Sequence, residues 1–174
     1  MSKDKAKISI IVGSDSDLSI VKEATDILKK FEIEYDIKIL SAHRTPKALQ
    51  EYLQKAEKDG IQIFIAAAGA AAHLAGAIAG HTILPVIGIP IPSSTLQGLD
   101  ALLSTVQMPK GIPVLTTAIG KAGAGNAAIS AIQILSLSDN SLKTKMKQYR
   151  KKMADDIEKK NKLLDEKGID DYVK

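Results

Sequence analysis

Two polar runs in this sequence hold residue types that can bind a phosphorylated ligand and transfer a proton. Residues 13–17 read GSDSD, and residues 41–46 read SAHRTP. Arg44 carries a permanent charge and a planar fork of donors that matches the oxygens of a phosphate. His43 beside it can change its protonation state near neutral pH, as a general acid or base must. The second run therefore predicts a site where an anion is held while a proton moves.

The first run, residues 13–17, joins a predicted strand to the N-terminus of a predicted helix. Backbone N–H groups and the helix dipole favour an anion there, and the hydroxyl groups of Ser14 and Ser16 would add donors. Asp17 would repel a phosphate, so with a nucleotide bound we expect it to accept hydrogen bonds from ribose hydroxyl groups. Ser16 or Asp17 could instead simply cap the helix. On this run alone both interpretations stay open.

A third run, residues 66–80, consists almost entirely of alanine and glycine. Such residues, Gly69 among them, permit close approach of the backbone to a ligand or to a helix of a neighbouring subunit. His73 is near the start of the helix predicted here and could face the same site, although a lone histidine is more often structural. His81 follows this helix, and we expect it at the surface beside the helix dipole.

Several other kinds of site have no support in the sequence. Residues 123–128 (GAGNAA) fit a loose dinucleotide-binding pattern, but they follow the fifth predicted strand and no further βαβ unit comes after them. There is no P-loop motif, and a chain with no cysteine and three scattered histidines predicts no metal site. The net charge of +4 lies mostly after residue 138 and aromatic residues are scarce, which disfavours nucleic-acid binding. No membrane span and no secretory signal are recognisable, which favours a soluble cytoplasmic protein.

The elements that must position these runs follow from the hydrophobic pattern. Strands are predicted at residues 7–12, 33–39, 61–68, 85–91 and 113–119, and a helix follows each of them. Because no hairpin signals separate the strands, the alternation predicts parallel βαβ units in a three-layer αβα sandwich. We expect the flavodoxin-like strand order 2-1-3-4-5, in which the loops after the first three strands meet at one sheet edge.

The last helix of that core is predicted at residues 126–137, and the chain then changes character. Residues 1–138 are predicted to form a single α/β catalytic domain, and residues 139–174 a C-terminal amphipathic helix. That helix carries one apolar stripe, made of Leu142, Met146, Tyr149, Met153 and Ile157. The stripe could pack on its own domain or on a neighbouring subunit, and the residues alone leave both open.

Six segments, taken in order, resemble the N5-carboxyaminoimidazole ribonucleotide mutase family of purine biosynthesis. They lie between about residues 8 and 135 and read GSDSD, SAHRTP, AGAAAHLAG, PVIGIPIPS, LDALLSTVQMPKGIPV and AIGKAGAGNAA. The combination is far more specific than any one motif. SAHRTP, AAHL and QMPKGIPV resemble the bacterial mutase class rather than the related carboxylase class that uses free CO2.

The resemblance implies an isomerase that moves a carboxylate of a small ribonucleotide from the exocyclic nitrogen to ring carbon 4, without metal or cofactor. In the family's scheme the carbamate releases CO2 inside a closed pocket, the ring carbon captures it, and a histidine shuttles the proton. Family members form octamers with active sites at subunit boundaries. The resemblance therefore also implies a homo-octamer in which the Ala/Gly-rich helix and the C-terminal helix contact other subunits.

The resemblance also assigns individual residues. His43 matches the family's acid–base residue. The residues that match or adjoin substrate-binding positions are Gly13, Ser14, Ser16, Asp17, Ser41, Arg44, Gly69 and His73. Ser14, Asp17 and Arg44 match nucleotide-binding positions most directly, whereas two further serines would support the phosphate. His73 matches the family's second active-site histidine.

Two positions depart from the family's usual pattern. Ala70 stands where glycine is common, and Ala75 stands where proline is usual. Ala70 would be strained if its position requires a positive φ angle. Ala75 would lose a rigid turn. Both changes fall on the loop expected to enclose CO2 rather than on the phosphate side.

Two alternatives to the mutase remain. One is a CO2-dependent aminoimidazole ribonucleotide carboxylase or a related nucleotide carboxylase. The other is a non-catalytic nucleotide-binding module on the same fold. A phosphoreceiver module would need an aspartate after the third strand, where this chain has Ala68 and Gly69.

Overall fold

The computed structural model describes residues 6–173 and contains one five-stranded parallel sheet. The strands are β1 (Ile8–Val12), β2 (Tyr35–Ile39), β3 (Ile63–Gly69), β4 (Val86–Ile91) and β5 (Leu115–Thr116). The helices are α1 (Leu18–Lys30), α2 (Pro46–Asp59), α3 (Leu74–Ala79), α4 (Leu99–Val106), α5 (Gly120–Leu135) and α6 (Asn140–Tyr172), and a 3₁₀ turn (Asp15–Asp17) precedes α1.

The strand order is β2-β1-β3-β4-β5, which confirms the predicted flavodoxin-like arrangement. Val12, the last residue of β1, lies opposite Ile39 of β2 and Ala67 of β3. The carboxyl ends of these three strands are therefore nearly level. This register brings the loops that follow them to one edge of the sheet, where ligands bind in folds of this type.

Helices cover both faces of the sheet. On one face, α2 and α3 pack with Ile11 and Phe64 in a single hydrophobic cluster. On the other face α5 approaches α1, since a Cβ atom on Gly125 would lie 3.3 Å from Cδ1 of Ile27. Strands β1 and β4 are buried along their whole length, as continuous apolar runs in a parallel sheet should be. Each fully buried isoleucine contributes about 1.5–3 kcal/mol.

The last strand and the last core helix differ from their predicted bounds. The strand predicted at residues 113–119 has two residues, because β5 is an edge strand whose Leu115 is half exposed. Helix α5 begins at Gly120, six residues before the predicted start, so the GAGNAA run lies in a helix. A Cβ atom on Gly123 would lie 1.6 Å from the carbonyl oxygen of Ala118. Glycine is therefore needed there for packing.

The chain divides into two compact units, one ending at Ala131 and the other starting at Ile132. The division falls inside α5, earlier than the boundary after residue 138 expected from the sequence. The second unit contains α6, whose N-terminus is capped by Asp139: its carboxylate accepts hydrogen bonds from the backbone N–H groups of Ser141 and Leu142.

The predicted apolar stripe of α6 divides into two parts. Leu142 and Met146 are buried, whereas Met153 is about half exposed and Ile157 is largely exposed. The helix also changes direction near its end, at Gly168, where φ is +69°. Within residues 6–173 no helix is long and apolar enough to cross a lipid bilayer.

Candidate functional site

A cavity of about 310 Å³ lies where the loops after β1, β2 and β3 meet. The structure brings every predicted site residue to its lining: Gly13, Ser14, Ser16, Asp17, Ser41, His43, Arg44, Gly69 and His73. Residues separated by up to 60 positions along the chain thus share one space. Parallel strands produce this convergence, because each strand delivers its following loop to the same edge.

The first two loops are joined directly by Arg44. Its Nη2 atom donates a hydrogen bond of 2.6 Å to the carbonyl oxygen of Gly13. The N–H group of Gly13 in turn donates to the carbonyl oxygen of Ala67, at 3.1 Å, which extends the sheet by one residue. The guanidinium is thereby fixed at the cavity wall, and the rest of its donor fork can meet a ligand anion.

The loop after β1 presents hydroxyl groups rather than a helix cap. Neither Ser14 nor Asp17 makes a side-chain capping bond, although they occupy the cap positions of the 3₁₀ turn and of α1. Instead the hydroxyl group of Ser16 donates to that of Ser14 at 3.1 Å. The structure therefore does not support the interpretation of this run as a simple cap.

Asp17 is a buried carboxylate at the cavity wall, only 5% exposed. Burial raises the pKa of the Asp17 carboxyl above its ordinary value, because the charged form loses hydration. A hydrogen bond from the Ser16 hydroxyl group, a hydrogen bond with the Ser14 backbone and the charge of Arg44 oppose that rise. Such a group is a strong acceptor for a ligand hydroxyl, which can restore the hydrogen bonding lost on burial.

The loop after β2 is a compact hydrogen-bonded turn. The Thr45 hydroxyl group accepts a hydrogen bond from the backbone N–H of Ser41, and the Ser41 hydroxyl group accepts one from that of Arg44. Thr45 stands at the N-cap position of α2, as predicted, but its side chain braces this turn instead of the helix. Pro46 begins α2. The turn holds His43 and Arg44 side by side at the cavity.

Two imidazole rings meet across the cavity. Nε2 of His43 lies 2.8 Å from Nδ1 of His73, within hydrogen-bond distance. The ring planes are 80° apart and the ring centroids are separated by 5.0 Å. His73 occupies the N-cap position of α3 but makes no capping bond with its side chain. Its ring is directed to His43, so the two imidazole rings form one contacting pair.

The loop after β3 is shaped by backbone conformation. Ala70 has a φ angle of +51°, so this alanine adopts the left-handed region of the backbone. A non-glycine residue there is strained by about 1–2 kcal/mol. Ala75 lies in the first turn of α3 and is buried. The helix forms without the usual proline, which would only have preset its first turn.

Glycine is required at position 69 because Ser93 lies very close to it, and Ser93 was not among the predicted site residues. A Cβ atom on Gly69 would lie 1.8 Å from Oγ and 2.7 Å from Cβ of Ser93, which also lines the cavity. Ser93 follows β4, and Gly69 pairs with the last residue of that strand, Ile91. Ser93 could have been predicted from the sequence, because a hydroxyl residue just after a fourth parallel strand also lies at this edge of the sheet.

A metal site is not found in the described part of the chain. Within residues 6–173 no group of three or more histidine, cysteine, aspartate or glutamate side chains could hold a metal ion. His81 is exposed and its Nδ1 atom lies 2.8 Å from the carbonyl oxygen of Ala77, at the end of α3. It stands outside the cavity, as expected from the sequence.

Comparisons with known proteins identify the family and agree with the fold. A model of the AIR carboxylase family matches residues 7–156. The chain is 51% identical over 173 residues to the N5-carboxyaminoimidazole ribonucleotide mutase of Pyrococcus horikoshii, covering 99% of this chain and 97% of that protein. It is 46% identical over 171 residues to the phosphoribosylaminoimidazole carboxylase of Candida albicans, covering 98% of this chain but 30% of that protein. The crystal structure of Treponema denticola PurE matches with a TM-score of 0.83 and 32% identity, covering 90% of this chain and 97% of that one.

Proposed function

The chain belongs to the AIR carboxylase family, and on that premise we propose that it is a mutase of purine biosynthesis. It converts N5-carboxyaminoimidazole ribonucleotide to 4-carboxy-5-aminoimidazole ribonucleotide. Relatives that match nearly the whole chain carry the mutase name. The observation that carries the proposal is the single cavity shared by an arginine, a buried carboxylate and a histidine pair.

The nucleotide is held by the first two loops. Arg44 binds the phosphate with the donors that Gly13 leaves available, and the serine hydroxyl groups at positions 14, 16 and 41 complete the phosphate site. Asp17 accepts hydrogen bonds from the ribose hydroxyl groups. Binding the sugar phosphate away from the reacting ring positions the substrate without taking part in the chemistry.

The carboxylate is transferred beside the third loop. The carbamate N–C bond breaks and releases CO2, and the nitrogen takes a proton from His43. Ring carbon 4 then attacks the trapped CO2, forming the C–C bond, and gives its proton back to His43. The enzyme ends the cycle with the proton inventory it began with, so the reaction consumes no cofactor.

The small residues that line the cavity around the substrate's imidazole ring help to enclose CO2. Gly69 and Ala71 line the cavity without bulky side chains, and backbone N–H groups are the donors available to a nascent carboxylate. Gly13 leaves similar space on the opposite wall. Exclusion of water keeps CO2 close to carbon 4 until the new bond has formed.

The active assembly is a homo-octamer located in the cytoplasm. The surface of α4 supports association, because Leu99, Leu103 and Val106 follow one another by four and three residues and are each about half exposed. Exposed Met153 and Ile157 support the same role for α6. Light scattering on the full chain and on a truncation after Leu137 tests whether α6 is required for assembly.

The catalytic proposal is tested with His43→Asn, assayed by direct conversion of the carbamate substrate and by nucleotide binding. Turnover should fall by about a thousandfold or more, because general acid–base catalysis contributes about 10²–10⁴-fold. Binding should largely survive, since the phosphate and ribose contacts remain. Equal turnover in variant and wild type would refute the role of His43.

The alternative activity is that of a CO2-dependent carboxylase, because the Candida albicans relative is named a carboxylase. Wild-type enzyme should convert the carbamate substrate at the same rate with and without added bicarbonate. Dependence on bicarbonate with aminoimidazole ribonucleotide as substrate would favour the carboxylase. Binding of the nucleotide without any turnover would favour a module that only binds.

A further inference from the structure

The contact between the two histidines restricts where protons can lie. Nε2 of His43 and Nδ1 of His73 are 2.8 Å apart, so a single proton lies between them and one of the two nitrogens must be an acceptor. The remaining nitrogen of His43 is Nδ1. Within the described chain no hydrogen bond is found for that atom, and the ring lines the cavity.

From this geometry we infer that His73 is a positioning residue that holds His43 in the Nε2–H tautomer. The Nδ1 atom of His73 accepts the Nε2–H bond, and Nδ1 of His43 is the atom that exchanges a proton with the substrate. The inference rests on the proposed function, because it concerns the same proton transfer. It adds the identity of the reacting nitrogen and a role for the second histidine.

The direction of the hydrogen bond follows because His43 must act both as an acid and as a base. As a base, neutral His43 needs a lone pair on Nδ1, and it therefore carries its proton on Nε2. As an acid, it carries protons on both nitrogens and still donates Nε2–H to His73. The same contact thus serves both steps. If His73 donated instead, neutral His43 would present Nδ1–H to the substrate and could not accept the proton from carbon 4.

The other charged side chains at the cavity interact with other groups, so we assign the orientation of His43 to His73. The charged and titratable side chains that line the cavity with the two rings are Arg44 and Asp17. Arg44 is bonded to Gly13, and Asp17 interacts with Ser16 and the Ser14 backbone. Many catalytic histidines are oriented by a carboxylate. Here the imidazole of His73 takes that place, at the start of α3.

The first test compares two replacements of His73. His73→Asn places an amide oxygen close to the position of Nδ1, so it should lower kcat by less than about tenfold and less than His73→Leu does. His73→Leu removes the acceptor and should lower kcat by about 10–100-fold, as loss of an orienting partner does. KM should change by less than about threefold in both variants, because the phosphate and ribose contacts remain. Full activity of His73→Leu, or equal losses in the two variants, would overturn the inference.

A spectroscopic test does not depend on the His73 variants folding. In wild-type protein labelled with ¹⁵N-histidine, the inference requires a protonated Nε2 and an unprotonated Nδ1 for neutral His43. An Nδ1–H tautomer for His43 would overturn it. The His43→Asn variant identifies which resonances belong to His43. It also distinguishes a failure of the proposed catalytic role from a failure of the tautomer assignment. If His43→Asn keeps its turnover, the proposed catalytic role fails; if only the result for His73 is contrary, the proposed function stands and the tautomer assignment fails.

Discussion

The loops after β2 and β3 reach the same cavity but are stabilised in opposite ways. The loop after β2 is braced by side chains, with bonds from Thr45 to Ser41 and from Arg44 to Gly13. The loop after β3 is shaped by its backbone, through a positive φ at Ala70 and tight bonds such as the one of 2.8 Å between Ala72 N and Ala70 O. A loop that grips a charged phosphate can be built from polar groups, whereas a loop that encloses CO2 must keep side chains away.

This contrast predicts that adding one carbon to the loop after β3 has the largest effect. Gly69→Ala places a Cβ atom 1.8 Å from Oγ and 2.7 Å from Cβ of Ser93. Rotation of the Ser93 side chain can move Oγ but not Cβ, so the loop or the segment after β4 must shift. We expect turnover to fall by about a hundredfold or more, and the free energy of unfolding to fall by about 1–3 kcal/mol. Steady-state kinetics and urea denaturation measure the two effects.

Two controls accompany that substitution. A Cβ atom on Gly13 meets only Cβ of Ala68, at 3.9 Å, so Gly13→Ala should leave stability within about 0.5 kcal/mol of wild type. Adding Ser93→Gly to Gly69→Ala removes the clashing side chain and should restore part of the lost stability. A stable and active Gly69→Ala variant would show that close packing does not define this loop.

On the phosphate side, Arg44→Met removes the bond to Gly13 as well as the phosphate contact, and its larger effect should be on binding. Loss of a hydrogen bond to a charged group is worth about 1.5–3 kcal/mol, so KM should rise by about 10–100-fold while kcat changes little. Lys47→Met on α2 removes an equal charge outside the cavity and serves as the control. Equal effects of the two substitutions would mean that Arg44 acts only through long-range charge.

Asp17→Asn should raise KM by about tenfold and change the pH dependence of stability. Folding raises the pKa of this carboxyl above its ordinary value of 3.8, so folding favours its neutral form. That contribution to stability is present below pH 3.8 and is lost as the pH rises through the raised pKa. The asparagine variant should therefore gain stability relative to wild type between acidic and neutral pH.

Thermal unfolding at several pH values measures this difference. Glu23→Gln removes an equal charge from an exposed position on α1 and serves as the control for the loss of charge itself. A stability difference between Asp17→Asn and wild type that is constant with pH would contradict the assignment of the raised pKa to Asp17.

The smallest effect is expected at Ala70, where the strain can be relieved. Ala70→Gly should raise the free energy of unfolding by about 0.5–1 kcal/mol, since the strain of a positive φ outweighs the entropy added to the unfolded chain. Turnover should rise slightly or stay unchanged. Ala71→Gly, next to it and without a positive φ, should be destabilising instead. A large loss of turnover in Ala70→Gly would mean that the strained alanine itself is needed.

Most of the fold and of the cavity wall could be predicted from the sequence, because both depend on parallel alternation. Buried runs such as residues 8–12 mark central strands, and the strand order then brings Ser14, His43 and Gly69 to one edge. Edge strand β5 was overestimated, because Leu115 and its neighbours resemble a strand but only two residues pair with β4. The start of α5 was not predicted, because glycines lower helix propensity. The glycine at position 123 is explained by its close packing against Ala118, which the sequence does not reveal.

Contacts between side chains of different loops were beyond sequence reasoning. The bond between the rings of His43 and His73 and the approach of Ser93 to Gly69 depend on angles and distances that no local pattern encodes. The strain at Ala70 could only be stated as a condition, since the φ angle of one residue is set by the loop around it.

The most direct test of the account is a crystal structure of the His43→Asn variant with 4-carboxy-5-aminoimidazole ribonucleotide bound. The phosphate should contact Arg44 and the hydroxyl group of Ser14, and the ribose should contact Asp17. The imidazole ring should lie between residue 43 and Gly69, with its carboxylate toward the loop after β3. A nucleotide bound elsewhere, or bound with its ring remote from residue 43, would contradict the account.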